Sequence, residues 1–270
     1  RNLVEKRNVN AVVGYISSGN CQALAPIAEE LKQFTVFATC GTPRIFEEAP
    51  RKYVFRTMSH ATADNTAAAM YVKENFPSMK GYTGIQQNYA WGQDSWRDFD
   101  LTLKQIMPNA KASDNVQFPK IFAGQYGSEI SAMSLDDADL VHSSFWGGDL
   151  EAFIFQGAAR GLFDKKTGVL TVGGTAAYRL GKKLPNGLVL GARGPYGILV
   201  RDRDSALNQW FISTYKNLYG TYPSGPAYQY GQAILSAKIA YDKAGSDATD
   251  EQLADALRGI TFESFSTTVE

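Results

Sequence analysis

Short β-rich runs alternate with amphipathic stretches along almost the whole chain, and this alternation limits the available folds more than any other feature. Strands joined through helices can run parallel, with the helices packed over the sheet. Residues 11–16 read as the first strand. Over 19–33, Ala23, Ile27 and Leu31 recur every four residues, which predicts a helix burying that face. Residues 34–38 form the next strand and 53–56 are extended. Thr62 can cap a helix running to Phe76, with Ala69, Val72 and Phe76 turned inward. A strand at 80–85 leads to a helix over about 93–107, with Trp96, Phe99, Leu103 and Ile106 on one face, until Pro108 and Asn109 stop it.

The same alternation continues through a strand at 116–118 with a helix near 128–133, and a strand at 140–145 with a helix over 149–160 ended by Gly161. Strands at 169–172 and 188–191 follow. Two long helices close the pattern, at 204–219 with Leu207, Phe211 and Leu218 buried, and at 228–243. Trp210, Phe211 and Tyr215 read as helix packing, not as a cofactor box. Arg1–Lys6 resembles the last turns of a helix, and Ile260–Glu270 is extended with no closing element. The expectation is a doubly wound α/β chain truncated at both ends, with a βαβ unit before it and strands after it.

At 270 residues the chain allows two lobes or one large α/β body. Twenty-seven basic residues balance 27 acidic ones, with no basic run to track a phosphate backbone, so nucleic acid is not an expected partner. Apolar residues never run for the 18 or so positions of a membrane span, and Arg1–Asn10 is charged, unlike a signal segment. Cys21 and Cys40 lack the spacing of a zinc site; whether they pair is a matter of geometry that spacing leaves open. No Gly-x-Gly-x-x-Gly follows a strand, and Gly173-Gly-Thr175 lacks that spacing. There is no Gly-x-Ser-x-Gly elbow, and only two histidines are present. No enzyme activity, cofactor or metal is expected.

Four segments, taken in order, carry a resemblance: Gly14-Tyr-Ile-Ser-Ser-Gly19, Cys40-Gly-Thr-Pro43, Tyr53-Val-Phe-Arg-Thr57 and Asn88-Tyr-Ala-Trp-Gly92. Each is short, but their order and spacing over essentially the whole chain resemble the periplasmic branched-chain amino-acid-binding family, the type I periplasmic binding proteins. The resemblance implies two Rossmann-like lobes of doubly wound parallel sheet, joined by three crossovers, with ligand enclosed between them. Crossovers are expected near Thr57–His60, Ala192–Tyr196 and Gly259–Phe262. That places 1–57 and 196–259 in the first lobe, and 60–192 with 262–270 in the second. It further implies a periplasmic, monomeric solute-binding component of an ABC transporter, whose partners are a small carboxylate ligand and a membrane permease. The same fold also serves as a ligand-sensing regulator or receptor domain for amides, urea or amino acids.

Ligands of such sheets sit beyond the carboxyl ends of the strands. Ser17, Ser18 and Gly19 lie at such a junction, where a helix start offers backbone N–H groups and partial positive charge to a carboxylate. Gly41 allows close backbone approach, and Thr42 offers a hydroxyl and an N–H. From the second lobe, the resemblance carries Trp91 and Trp146 to places where the family usually has tyrosines lining the cleft. His60, at the first crossover, either bonds a ligand or caps a helix; His142 reads as structural. Amino-acid-binding relatives generally hold the ligand ammonium with acids at places that here read Ala61 and Thr175. Either Asp149 or another acid compensates, or the ligand has no ammonium. An aromatic acid is the first expectation and an aliphatic amino acid the second.

Overall fold

The computed structural model describes residues 1–191, 193–265 and 268–269. It divides into two compact units, Arg1–Ser59 with Gly194–Glu270, and His60–Arg193.

The first unit starts with α1 (Asn2–Arg7), β1 (Val12–Gly14), α2 (Ser18–Glu30), β2 (Thr35–Phe37), α3 (Arg44–Glu47) and β3 (Val54–Arg56). The three strands form a parallel sheet in the order β1-β2-β3, with Val13 beside Val36 and Val36 beside Phe55. The buried face of α2 is not the one expected. Ser18, Cys21, Ala25 and Ala28 face inward, Ala23 is exposed, and Ile27 and Leu31 are half-buried. The small-residue stripe packs on Phe37, Ile45 and Val54, where larger side chains would hold the helix away from the sheet. Ile27 and Leu31 instead line a shallow groove with Leu3 and Val12.

The second unit runs α4 (Ala61–Asn75), β4 (Gly81–Ile85), α5 (Ala90–Ile106), β5 (Lys111–Ala112), α6 (Gly127–Ser134), β6 (Leu140–Ser143), α7 (Gly147–Ala159), α8 (Leu162–Lys165), β7 (Thr167–Leu170), α9 (Gly173–Leu180) and β8 (Val189–Leu190). Its parallel sheet has the order β5-β4-β6-β7-β8, so the winding reverses between β4 and β6. Helices cover both faces. Phe99 and Leu103 of α5 join Ala69 and Val72 of α4 in one core, with Trp96, Ile106 and Phe76 packed against it. Phe145, Leu150, Phe153, Ile154 and Ile130 form the other. The strand expected at 116–118 reduces to a single bridge, Gln117 to Ile85. The edge position next to β4 goes instead to β5, where Lys111 N–H donates to the Lys80 carbonyl.

The chain then returns to the first unit with α10 (Ala206–Tyr219), α11 (Gly225–Ala244), α12 (Asp250–Leu257), β9 (Phe262–Glu263) and β10 (Thr268–Val269). Ala233, Ala237, Ala240, Leu253 and Leu257 pack over Phe34 and Val36, on the sheet face opposite α2. On α10 it is Ile212 that is buried; Leu218 and Trp210 are exposed, contrary to the sequence pattern, while Phe211 packs on Tyr228 and Phe265.

The terminal segment 262–270 was expected with the second unit but belongs to the first. Phe265 lies against Phe211 with ring centroids 4.5 Å apart, and Ser264 donates to Gln232 of α11. β9 and β10 pair antiparallel, so this segment has a closing element after all. Ala192 of the second crossover, with Ser266, Thr267 and Glu270 of the terminal segment, lies outside the described residues.

Candidate functional site

In the first unit the candidate residues gather where β1 and β2 end. Ser17 occupies the N-cap position of α2 with extended backbone, but its side chain makes no capping bond. Ser18 is buried, and its Oγ accepts the Thr42 N–H at 3.1 Å. That bond locks the two loops together, leaves the Ser18 O–H as a donor, and commits the Thr42 N–H that the sequence offered to ligand. The Thr42 hydroxyl accepts from Arg44 N–H at 3.3 Å, closing a tight local turn. Gly41 is buried between them.

Two further ties fix this region. The Arg56 guanidinium donates to the carbonyls of Cys40 (3.1 Å) and Thr42 (2.7 Å), holding both carbonyls away from the N–H face. Cys21 and Cys40 form a disulfide with Cα atoms 6.3 Å apart, which settles the question their spacing left open. The result is a cradle of helix N–H groups and a serine hydroxyl, suited to an anion and built without a ligand-facing acid.

In the second unit the loops leaving β4 and β6, on either side of the reversal in winding, carry the aromatic candidates. Trp91, Tyr89 and Trp146 cluster with Ala61 and Val172. Trp91 is only 2% exposed, and its Nε1–H donates to the Ser144 carbonyl at 2.9 Å. Its one donor is therefore spent within the protein. Trp146, half-buried at the N-cap position of α7, donates from Nε1 to the Tyr89 hydroxyl at 2.7 Å, with Phe122 edge-on at 5.6 Å.

Tyr89 is the residue that the sequence reasoning passed over. It sits at the N-cap position of α5, immediately before Trp91's turn, and burial raises its hydroxyl pKa. Its place, four residues past the end of β4 in Gln86-Gln-Asn-Tyr89, was the available signal. Gly92 makes this turn possible, since a Cβ there would collide with the Gln87 carbonyl oxygen.

His60 and Thr175 flank the cluster. His60 is the N-cap residue of α4, next to Ala61, and makes no capping bond; the nearby Thr62 hydroxyl donates to Asp98 at 2.7 Å instead. Thr175 turns its hydroxyl back onto the Val172 carbonyl at 3.0 Å. Asp149 is buried and already engaged: its Oδ2 accepts from Gln87 Nε2 (2.6 Å) and Phe122 N–H (2.7 Å). Asp64, on the first turn of α4, pairs with Arg193 at 3.0 Å.

A buried polar chain supports the cluster from below. Asn65 donates to the Ala61 carbonyl, so its Oδ1 accepts from His142 Nε2 at 2.8 Å. At the far end Gln86 Oε1 accepts from Ser144 N–H, so the Gln86 amide N–H donates to His142 Nδ1, also at 2.8 Å. Both ends fix the same neutral tautomer. A charged ring would point a second N–H at an amide N–H, and complete burial pushes the His142 pKa down to about 3. His142 also stacks on Phe99, with centroids 4.1 Å apart.

A family model described as periplasmic binding protein matches residues 1–270. The chain belongs to the periplasmic binding protein family. No curated protein matches the chain. Solved structures of this family are similar in fold at low identity. An ABC-transporter solute-binding protein from R. palustris in complex with benzoate is 19% identical, with a TM-score of 0.80 over 99% of this chain and 71% of that one. Another, from Rhodopseudomonas palustris BisB5 with 3,4-dihydroxy benzoic acid, is 20% identical with a TM-score of 0.82 over 99% and 71%. The leucine-binding protein LivK of Thermotoga maritima is 19% identical with a TM-score of 0.80 over 98% and 73%. These likenesses show the type I periplasmic binding protein fold. The family is one of binding proteins, and its solute-binding members take small-molecule ligands and work with membrane permeases.

Among the described residues no helix is long and apolar enough to cross a membrane, and no group of three or more His, Cys, Asp or Glu residues is placed to hold a metal ion.

Proposed function

We propose that this periplasmic binding protein is the monomeric extracytoplasmic solute-binding component of an ABC transporter, and that its ligand is a small aromatic carboxylate. The ligand carboxylate is taken by the cradle at Ser17, Ser18, Gly41 and Thr42, and the ring by the cluster around Tyr89, Trp91 and Trp146, with His60 and Thr175 at its margin. A ligand that touches both units favours the closed arrangement by its differential affinity, and a permease reads that arrangement.

The observation that carries the reading is the state of the acids beside the aromatic cluster. Asp149 is held by Gln87 and the Phe122 N–H, and Asp64 by Arg193. Bringing an ammonium there would mean breaking one of these bonds, or burying a charge unpaired at a cost of several kcal/mol. A carboxylate without an ammonium meets no such obstacle. The benzoate complexes of similar proteins support this choice.

Isothermal titration of the purified protein with benzoate, phenylalanine, leucine, benzamide and urea tests it. Binding of benzoate, with none of leucine or benzamide, is the expected result. Tight binding of leucine with none of benzoate reverses the ligand assignment.

A further inference from the structure

The loop at 119–126 in the second unit is fastened at both ends and displays a large ring in its middle. At one end the Pro119 carbonyl accepts from Asn88 N–H at 2.8 Å. At the other, Gly124 N–H donates to the Tyr126 hydroxyl at 3.2 Å, and the Gly124 carbonyl accepts from Gln156 Nε2 of α7 at 3.0 Å. Tyr126 is fully buried against Phe145. Between these ties stands Phe122, 66% exposed.

That exposure does not come from a slack backbone. Phe122 has a φ of 62°, in the left-handed region, where a Cβ crowds the following carbonyl and glycine is the favoured residue. Its N–H donates to Asp149 Oδ2 at 2.7 Å, a charge-assisted bond to a buried carboxylate that holds the residue in this conformation. Glycine would make the same turn at lower cost. A phenylalanine kept there, with its ring mostly in solvent, points to a task for the ring.

The neighbour of that ring is Trp146, with centroids 5.6 Å apart and planes 82° apart. Trp146 is half-buried, so both rings keep surface to give, whereas Trp91, at 2% exposed, has almost none. Aromatic rings have negative faces and positive edges, and they prefer offset-stacked or edge-to-face contact. Where two walls meet near a right angle, a flat ring that stacks on one turns its edge to the other and makes both contacts at once. A saturated ring of the same size lacks the flat face and the charge pattern, and meets the walls by dispersion alone.

We propose that Phe122 is a specificity-determining residue that touches the ligand: with Trp146 it forms a two-walled corner that selects planar aromatic carboxylates over saturated ring carboxylates. The inference rests on the aromatic-carboxylate reading above. Its measure is a ratio of affinities, which a merely structural role of Phe122 leaves unchanged.

Dissociation constants for benzoate and cyclohexanecarboxylate are measured by titration calorimetry on the full chain and on Phe122→Leu, Phe122→Tyr and Phe122→Gly, with the thermal midpoint of each. The unaltered protein is expected to bind benzoate about tenfold more tightly than cyclohexanecarboxylate. Phe122→Leu keeps an apolar side chain without the ring and should bring that ratio to about threefold or less, while Phe122→Tyr should preserve it. Phe122→Gly should lower the ratio in the same way with a midpoint that is unchanged or raised, because the left-handed backbone is relieved. A ratio that survives in both Phe122→Leu and Phe122→Gly overturns the inference and leaves the aromatic-carboxylate reading intact. Equal weakening of both acids with a lowered midpoint assigns Phe122 a packing role and also overturns it. Equal affinity for the two acids in the unaltered protein overturns it whether or not any variant folds. Absence of binding by both overturns both readings.

Discussion

The loops of the first unit that carry Ser17, Ser18 and Thr42 are made of small residues and fastened by a disulfide and by Arg56; those of the second carry Tyr89, Trp91 and Trp146 and rest on a buried hydrogen-bond chain. Both sets leave the carboxyl ends of parallel strands and lead into helices. Oriented N–H groups work only if the backbone that bears them cannot turn, and small residues have little side-chain packing with which to hold it, so covalent and charged ties supply the constraint. Rings can be held by packing and by single hydrogen bonds, and the second unit uses both.

If the second half-site depends on the tight turn before α5, then Gly92→Ala should do the most damage. The added methyl meets the Gln87 carbonyl oxygen, and the backbone of the Tyr89 turn must shift. A loss of about 4 kcal/mol, beyond the usual range of single substitutions, is expected in denaturant unfolding of the second unit. A loss under 1 kcal/mol would show that the turn has room to give.

For the first unit the corresponding break is the disulfide. Cys21 and Cys40 are 19 positions apart, and removing a bridge over such a loop by the double change to Ser should cost about 3 kcal/mol. The thermal transition of the first unit should fall, with that of the second unmoved. An unmoved first transition would show that the bridge adds nothing to that unit's stability.

Smaller in energy but sharper in meaning is the contrast between Ser18→Ala and Trp146→Phe. The first removes the hydroxyl that joins the loops at 18 and 42 and should weaken carboxylate binding by roughly tenfold, about 1.4 kcal/mol. The second keeps a ring, loses one N–H donor to Tyr89, and should weaken binding only about threefold. Equal losses in calorimetry would erase the proposed division of labour.

The last expected effect, modest near neutral pH, is a pH dependence confined to the second unit. His142 has a folded pKa near 3, below its unfolded value of about 6.5, so between these values the unfolded chain binds the extra proton. Stability should therefore be complete above pH 7 and fall as the pH drops, by about 1 kcal/mol at pH 6. Urea unfolding of His142→Gln should lack this component; an unchanged slope would assign the acid sensitivity elsewhere.

Much of the fold was legible because strand and helix periods are local. The face of α5 bearing Phe99 and Leu103 could be read from spacing alone, since large apolar residues occupy one stripe. α2 misled because its large residues, Ile27 and Leu31, lie outside the core that its small ones enter, and only the closeness of the sheet decides that. The strand expected at 116–118 had β-forming composition, but Lys111 and Ala112 were the residues positioned to bond to β4. In the candidate half-sites, residue types were readable and commitments were not. The Trp91 donor is taken by a carbonyl 53 residues away, and the acids Asp64 and Asp149 are spoken for by partners 129 and 62 residues distant. Such partners become visible only once the strands are laid side by side.

The Cys21–Cys40 bond turns the stretch from Cys21, in the first turn of α2, through β2 into a covalent ring. The exposed Lys32, in a left-handed turn between those two elements, lies inside it. A protease that cuts after Lys32 would open the ring without dividing the molecule, and Ser18 and Thr42, one on each side of the ring, would stay on a single connected piece. In the sense of connectivity, the cradle survives a broken main chain for as long as the bridge stays oxidised.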